Sequence, residues 1–358
     1  MELQIDDVAF GGKGVGRSAG KAVFVPYTVD GERVIARIVR EKKHLAEAEL
    51  LEVLRPSTHR VQPECAYFGQ CGGCSYQHIS YAHQLAIKTR QVEQTLRRIA
   101  HLHDVPMQPI VASPAPYGYR NRITVHAENG AVGYYRREAH RLIDVERCPI
   151  AAPEVNEALA DLRARRPRDG HYTLRAPGSP RLFAQTNSGV ADALAQHVAA
   201  LLSGGGDLLV DAYCGSGFFA KRLRNIFARV IGIEWDRYAV AAARETASPG
   251  ETYLAGDVEA ELDRTLGAAD LAATAVIVDP PAIGLSTAAR QTLLALPVAT
   301  LVYVSCNPAT LARDLRELQP AFAIASVTPF DMFPQTAEIE CAAHLTRHAP
   351  FAPAANPE

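Results

Sequence analysis

The stretch Asp207-Leu208-Leu209-Val210-Asp211-Ala212-Tyr213-Cys214-Gly215-Ser216-Gly217 reads as an aliphatic strand running into a glycine-rich turn, with a helix expected beyond it. Similar signals recur downstream at helix-length intervals. They are Val230-Ile231-Gly232-Ile233-Glu234, a strand closed by Gly256-Asp257, Ala275-Val276-Ile277-Val278-Asp279-Pro280-Pro281, and Thr300-Leu301-Val302-Tyr303-Val304-Ser305-Cys306-Asn307-Pro308. This alternation predicts an α/β fold, a doubly wound parallel sheet with helices on both faces. Ligands of such sheets bind outside the carboxyl ends of the strands. Tyr213, Gly215, Gly217, Glu234, Asp257, Asp279 and Cys306 all fall at that edge. A lone cysteine is commonly a packed core residue. Cys306 instead ends a strand, beside Asn307 and ahead of a helix N-terminus (Ala309 to Leu318) that favours a thiolate.

Upstream of the sheet, a helix from Val190 to Leu202 is preceded by Arg- and Tyr-rich strands, Tyr117-Gly118-Tyr119-Arg120-Asn121-Arg122-Ile123-Thr124-Val125 and Val132-Gly133-Tyr134-Tyr135-Arg136-Arg137. Aromatics interleaved with Arg serve equally as edge-strand residues or as a surface for bases and phosphates. Tyr81 to His101 reads as an amphipathic helix, with Leu85, Val92, Leu96 and Ile99 inside and Lys88, Arg90, Arg97 and Arg98 outside. At the start, Ala22–Tyr27 and Val34–Val39 flank the turn Val29-Asp30-Gly31-Glu32 and predict a small β-barrel over residues 1–55. Eight Lys or Arg against three acids between residues 11 and 43 suit an oligonucleotide-binding barrel, and the region resembles a TRAM domain. Gly11–Gly16 lacks the Gly-Lys-Ser/Thr ending of a phosphate loop.

The chain has 358 residues, 48% of them hydrophobic and 21% charged, as a soluble globular protein does. No run is apolar for long enough to span a membrane, and the first residues are not a signal peptide, so a cytoplasmic protein is expected. Net charge is −2, but residues 1–183 carry 26 Lys and Arg against 20 Asp and Glu, while residues 184–358 carry 11 against 19. A basic front and an acidic back fit a polyanion gripped by the first and processed by the second. Three of the seven cysteines crowd together as Cys65-(x5)-Cys71-Gly72-Gly73-Cys74, and Cys148-Pro149 follows later. With no secretion signal, metal binding is favoured over disulfides. Three clustered thiols plus a remote Cys-Pro fit an iron–sulfur cluster better than zinc, whose ribbons bring two short Cys pairs.

Gly215-Ser216-Gly217-Phe218-Phe219-Ala220 formally fits the dinucleotide fingerprint, with Glu234 where a ribose-binding acid belongs, so a nicotinamide enzyme is one reading. That fingerprint sets its first glycine directly after the strand. Here Asp211-Ala212-Tyr213-Cys214 intervene, the form seen in adenosylmethionine-dependent methyltransferases. From about residue 1 to 347 the chain resembles the RNA 5-methyluridine methyltransferases, in particular the iron–sulfur, TRAM-containing branch that acts on 23S ribosomal RNA. The resemblance rests on the barrel, the four cysteines, Tyr119–Arg122, Phe183-Ala184-Gln185-Thr186-Asn187, Asp211–Gly217, Asp279-Pro280-Pro281, Ser305–Pro308, and Asp331-Met332-Phe333-Pro334-Gln335-Thr336 leading to Glu340.

The resemblance implies three parts: a TRAM-like barrel (1–55), a central iron–sulfur and RNA-binding region (56–182) and a methyltransferase domain (183–348). A disordered tail (349–358) is expected from its Pro and Ala content. The resemblance further implies that Cys306 is the nucleophile and Glu340 the base. Gln185, Tyr213, Gly215, Gly217, Phe218, Glu234, Asp257 and Asp279 then hold S-adenosyl-L-methionine, and Cys65, Cys71, Cys74 and Cys148 a [4Fe–4S] cluster. Expected partners are ribosomal RNA or transfer RNA, with no membrane, and the chain is expected to be a monomer. Two positions depart from the family: Ala282 where Arg is usual, and Glu338 where His is usual. A cytosine-5-methyltransferase, which usually shows Pro-Cys or Thr-Cys, and an RNA-binding protein without catalysis are the alternatives.

Overall fold

The computed structural model describes residues 1–137, 139–178, 185–269, 273–296 and 298–348. Phe183 and Ala184, and the 349–358 tail, lie outside the described residues.

The first residues form β1 (Glu2–Gln4), β2 (Asp7–Val8), β3 (Lys13–Ser18), β4 (Lys21–Pro26), β5 (Arg33–Glu41) and β6 (Leu45–Arg55). They make one sheet in the order β1-β5-β6-β4-β3-β2, parallel between β4 and β6 and antiparallel elsewhere. Alternate residues Leu3, Val23, Val25, Val34 and Ala36 fill its interior. Buried Glu32 joins this unit to the next segment, accepting from Arg60 and from the Val29 and Ser57 amides.

Helix α1 (Tyr81–Ile99) follows the cysteine loop and packs Val92 and Leu96 against the large sheet. Its inner face differs from the expectation. Lys88 is fully buried, with Gln84, Ile87 and Gln91, while Leu85 is partly exposed. Hydrophobic periodicity assigns lysine to solvent, but a lysine is retained inside where a carboxylate meets it. Asp331 does so here.

The middle region holds β7 (Arg122–Glu128), β8 (Ala131–Arg136), β9 (Ala139–Asp144), α2 (Pro153–Ala164) and β10 (Gly170–Arg175), with the sheet ordered β10-β7-β8-β9. Ile123, Val125 and Val132 pack on Val155 and Leu159 of α2. Residues 117–121, expected as strand, form a loop that bonds to the Cys148 segment through the Gly118 and Arg120 amides.

The remaining chain alternates as α3 (Ser188–Leu201), β11 (Gly206–Ala212), α4 (Phe218–Leu223), β12 (Phe227–Glu234), α5 (Arg237–Glu245), β13 (Glu251–Ala255), α6 (Val258–Gly267), β14 (Thr274–Val278), α7 (Thr287–Ala295), β15 (Thr300–Ser305), α8 (Pro308–Leu318), β16 (Phe322–Phe330) and β17 (Glu340–Arg347). Strand order is β13-β12-β11-β14-β15-β17-β16. Leu208, Val210, Val276, Val278, Leu301 and Tyr303 pack against α1, α6, α7 and α8. Leu209, Ala275, Ile277, Val302 and Val304 face α3, α4 and α5. Helices therefore cover both faces, as expected. The sheet is not wholly parallel: β17 runs antiparallel to both β15 and β16. Without a crossover helix between them, β16 and β17 pair as an antiparallel ribbon.

Candidate active site

At the carboxyl end of β11 the chain turns through Gly215 (φ +55°) and Gly217 (φ +87°) before α4. A Cβ on Gly217 would lie 2.8 Å from the Tyr253 hydroxyl, so the close turn demands glycine twice over. Glu234, at the end of β12, is buried; its Oε2 accepts from the Gly215 amide at 3.0 Å and its Oε1 from the Asp236 amide at 2.9 Å. A cavity of about 510 Å³ opens there, lined by Gln185, Tyr213, Gly215, Gly217, Phe218 and Asp279. Asn121, which donates to the Gln185 carbonyl, joins the same lining.

Asp257 stands apart from this group. It is exposed and caps α6, accepting from the Ala260 amide at 2.9 Å. Sequence reasoning passed over Asp211, the last residue but one of β11. It is fully buried; its Oδ2 accepts from Ala220 at 2.8 Å and its Oδ1 has no protein partner. Burial, reinforced by Asp279 and Glu234, pushes its carboxyl up to about 7. The strand-end rule that singled out Asp279 would have found it.

Cys306 and Glu340 meet through register. Antiparallel pairing sets Ser305 opposite Cys341, so the next step across β15 and β17 brings Cys306 opposite Glu340. Cys306 is exposed and Glu340 is buried. Desolvation, then the charges of Glu340 and Asp279, push the thiol up to about 11. Glu340 is held well above the usual carboxylate range by burial, then by Asp279 and Glu338. Burial also lifts Asp279 to about 7. The expected thiolate is therefore not favoured in the resting site. Pro308 has no N–H, and Asn307 Oδ1 takes the Ala309 amide at 3.0 Å and the Thr310 amide at 3.5 Å, so the start of α8 is already capped.

The segment between β16 and Glu340 is pinned from outside the sheet. Lys88 Nζ donates to Asp331 Oδ1 at 2.5 Å and to the Phe333 carbonyl at 3.0 Å. Gln84 and Gln335 exchange hydrogen bonds at 2.9 and 3.0 Å, and the Tyr119 hydroxyl donates to the Pro334 carbonyl at 3.0 Å. The Ser75 and Tyr76 amides, just past the cysteine loop, both donate to the Gln335 carbonyl. Glu338 precedes the strand, 64% exposed and 4.0 Å from Arg120, and its charge still bears on Cys306 and Glu340. Glu338 and Glu340 thus have different surroundings, although two residues apart.

Cys65, Cys71, Cys74 and Cys148 line one cavity of about 280 Å³. All four are free thiols, and burial raises the first three, Cys74 to about 12. Among the described residues, no three His, Cys, Asp or Glu side chains converge closely enough to hold one metal ion. No helix among the described residues is long and apolar enough to cross a membrane.

A family model described as tRNA (Uracil-5-)-methyltransferase matches residues 260–348, which hold Asp279, Cys306 and Glu340, and the TRAM domain model matches residues 1–51. An uncharacterised RNA methyltransferase of Thermosynechococcus vestitus is 32% identical over 97% of this chain and 98% of its own length. The chain belongs to the RNA uracil-5-methyltransferase family. Another uncharacterised RNA methyltransferase, from Bdellovibrio bacteriovorus, is 31% identical over 96% of this chain and 94% of its own. The crystal structure of the Pyrococcus abyssi tRNA (uracil-54, C5)-methyltransferase with S-adenosyl-L-homocysteine superposes with a TM-score of 0.74, covering 97% of this chain and 99% of that one. At 24% identity that likeness establishes the shared fold, an adenosylmethionine-dependent methyltransferase with an N-terminal TRAM barrel. The chain is an RNA methyltransferase.

Proposed function

We propose that this family member methylates carbon 5 of a uridine in 23S ribosomal RNA, as a cytoplasmic monomer, with Cys306 as nucleophile and Glu340 as base. The reading rests on one observation above others: the register of β15 and β17 brings Cys306, just past the end of β15, beside Glu340, and Asp279, whose charge acts on both, lines the glycine-rich cavity. Carbon 5 of uracil is a poor nucleophile. Attack of the Cys306 thiolate on carbon 6 moves the C5–C6 π pair into an enolate, and carbon 5 becomes able to take a methyl group. Adenosylmethionine supplies that group as an electrophile. The Glu340 carboxylate then removes the proton left on carbon 5, and the freed pair restores the C5–C6 bond as the thiolate leaves.

Gln185, Tyr213, Gly215, Gly217, Phe218, Glu234 and Asp279 would hold the cofactor, and Asp257, whose Oδ1 caps α6, would offer its other oxygen to the adenine. Asp211, whose Oδ1 has no protein partner, would accept from the cofactor's ammonium. A cation brought among these acids lowers both their pKa values and that of the thiol. In the free enzyme, Cys306 and Glu340 both start protonated-leaning and both must lose a proton, so kcat/KM for RNA is expected to rise with pH through the neutral range. A flat profile across that range would show that neither group limits the rate.

Ribosomal RNA is supported by the four-cysteine cavity of the branch the sequence resembles; the description of the matching family model favours transfer RNA as a second reading. Mapping 5-methyluridine in RNA from a deletion strain decides between them. Loss of one site in 23S RNA is expected, loss in transfer RNA supports the second reading, and loss of 5-methylcytidine instead overturns both.

Cys65, Cys71, Cys74 and Cys148 would hold a [4Fe–4S] cluster, whose role here is to tie the 65–74 loop to Cys148. That loop in turn reaches Gln335 through Ser75 and Tyr76. Anaerobically purified protein should be brown with broad absorbance near ~400 nm, from sulfide-to-iron charge transfer. Colourless protein with stoichiometric zinc would contradict this.

The barrel is read as the RNA grip, although Lys13, Lys21, Arg33 and Arg37 already pair with glutamates. Arg17, Arg40, Lys42 and Lys43 are exposed. Changing these four to Ala should weaken RNA binding and flatten log K against log salt by up to about 3, at about 0.7 per single-strand phosphate contact. An unchanged slope would move the grip elsewhere.

A further inference from the structure

Between β14 and α7, the loop Asp279-Pro280-Pro281-Ala282-Ile283-Gly284 passes beside Cys306 and displays one aliphatic side chain to solvent. Ile283 is 75% exposed, whereas the next residue but one, Leu285, is buried. A single exposed apolar residue is ordinary on a protein surface. Two features set this one apart: where it stands and how firmly its backbone is held.

Asn307, the residue after Cys306, donates from Nδ2 to the Ala282 carbonyl at 3.2 Å, and Thr310 Oγ1 donates to the same carbonyl at 3.1 Å. Arg313 Nη2 donates to the Ile283 carbonyl itself at 2.9 Å. The turn is closed by the Gly284 amide on the Pro281 carbonyl at 2.8 Å. Gly284 lies at φ +81°, and a Cβ there would come 2.5 Å from Asp314 Oδ2, so the loop is seated directly on α8. Asp314, fully buried, also accepts from the Leu285 amide at 2.8 Å and the Tyr303 hydroxyl at 2.7 Å. The backbone that presents Ile283 is therefore fixed to the same strand and helix that present Cys306. Two prolines stiffen it further.

We infer that Ile283 is a positioning residue, an apolar wedge that enters the RNA stack where the target uridine has left it. The inference rests on the reading that uracil is the substrate. A base must leave its stack to reach a pocket, and an inserted aliphatic side chain offsets that cost by covering the exposed neighbouring base faces. A rigid β-branched residue loses little side-chain entropy when it does so. Ala282 beside it is too small to share the work, so the wedge depends on one side chain.

The test uses RNA from a deletion strain as substrate, once folded with magnesium and once heat-unfolded without it, and measures kcat/KM for Ile283→Ala, Ile283→Leu and wild type. Ile283→Ala should lose ~10–100-fold on folded RNA, the worth of covering one unstacked step. Ile283→Leu should keep most of the activity, and on unfolded RNA the deficit of Ile283→Ala should shrink toward none. Equal losses for Ala and Leu, an equal deficit on both RNA states, or no loss at all would each overturn the wedge. If wild type methylates neither RNA state, the uracil reading itself fails, a result distinct from any of these.

Discussion

Glu340→Gln is expected to accumulate as a covalent, methylated RNA complex that survives denaturing electrophoresis, while Cys306→Ala forms none and does not methylate. The two variants break different bonds in the cycle. Without the thiol, no bond to carbon 6 forms and carbon 5 stays unreactive. With the thiol present and Glu340 neutralised, attack and methyl transfer proceed, but loss of the carbon 5 proton slows by ~10²–10⁴-fold, the usual contribution of a positioned base. Gln fits the buried site sterically, so folding should be preserved. Glu338→Gln serves as the comparison. Its carboxylate is exposed and lies toward Arg120, so this variant should turn over and trap nothing. Trapping by Glu338→Gln with normal turnover by Glu340→Gln would exchange their roles. If neither traps RNA and both stay active, the base lies elsewhere, and Asp279 is the next candidate.

Lys88→Met is expected to lower the unfolding midpoint sharply, by the equivalent of about 3–5 kcal/mol, because it leaves the Asp331 charge buried without its counter-ion. Both residues have no solvent exposure, and Asp331 Oδ2 already lacks a partner. The double variant Lys88→Met/Asp331→Leu should recover most of that loss, since two apolar side chains remove the charge problem rather than half of it. Urea titrations of the single and double variants measure both effects. The single variant should also lose activity beyond its loss of folded protein, because the Asp331 segment leads directly to Glu340. A Lys88→Met midpoint equal to that of wild type would show that the pair carries no weight in holding this segment.

Lys88 also marks where sequence reading stops. The five parallel strands and their edge residues were legible because buried strands and glycine turns are local signals, and Tyr213, Gly215, Gly217, Glu234, Asp279 and Cys306 all stand where those signals put them. Lys88 was misassigned because its partner is 243 residues away, and no helical periodicity reports a partner at that distance. The facing of Cys306 and Glu340 needed the antiparallel β17, whose direction follows from a strand order that local patterns do not encode. The raised thiol of Cys306 was invisible for a related reason. A helix start beside a cysteine reads as activating until Asn307 is seen to occupy its amides and three acids are seen around it. Asp257 follows β13 where its strand-end signal puts it, and its capping of α6 is a role that pattern does not report.

RNA transcribed with 5-fluorouridine tests the covalent mechanism most directly, because a fluorine on carbon 5 cannot be removed by a base and the adduct persists. After reaction with S-adenosyl-L-methionine, nuclease and trypsin digestion followed by mass spectrometry should find a methylated fluorouridine nucleotide on the peptide containing Cys306. An adduct on Cys214 or Cys341, or methylation of ordinary RNA by an enzyme that forms no adduct with the fluorinated one, would contradict the assignment of Cys306 as nucleophile.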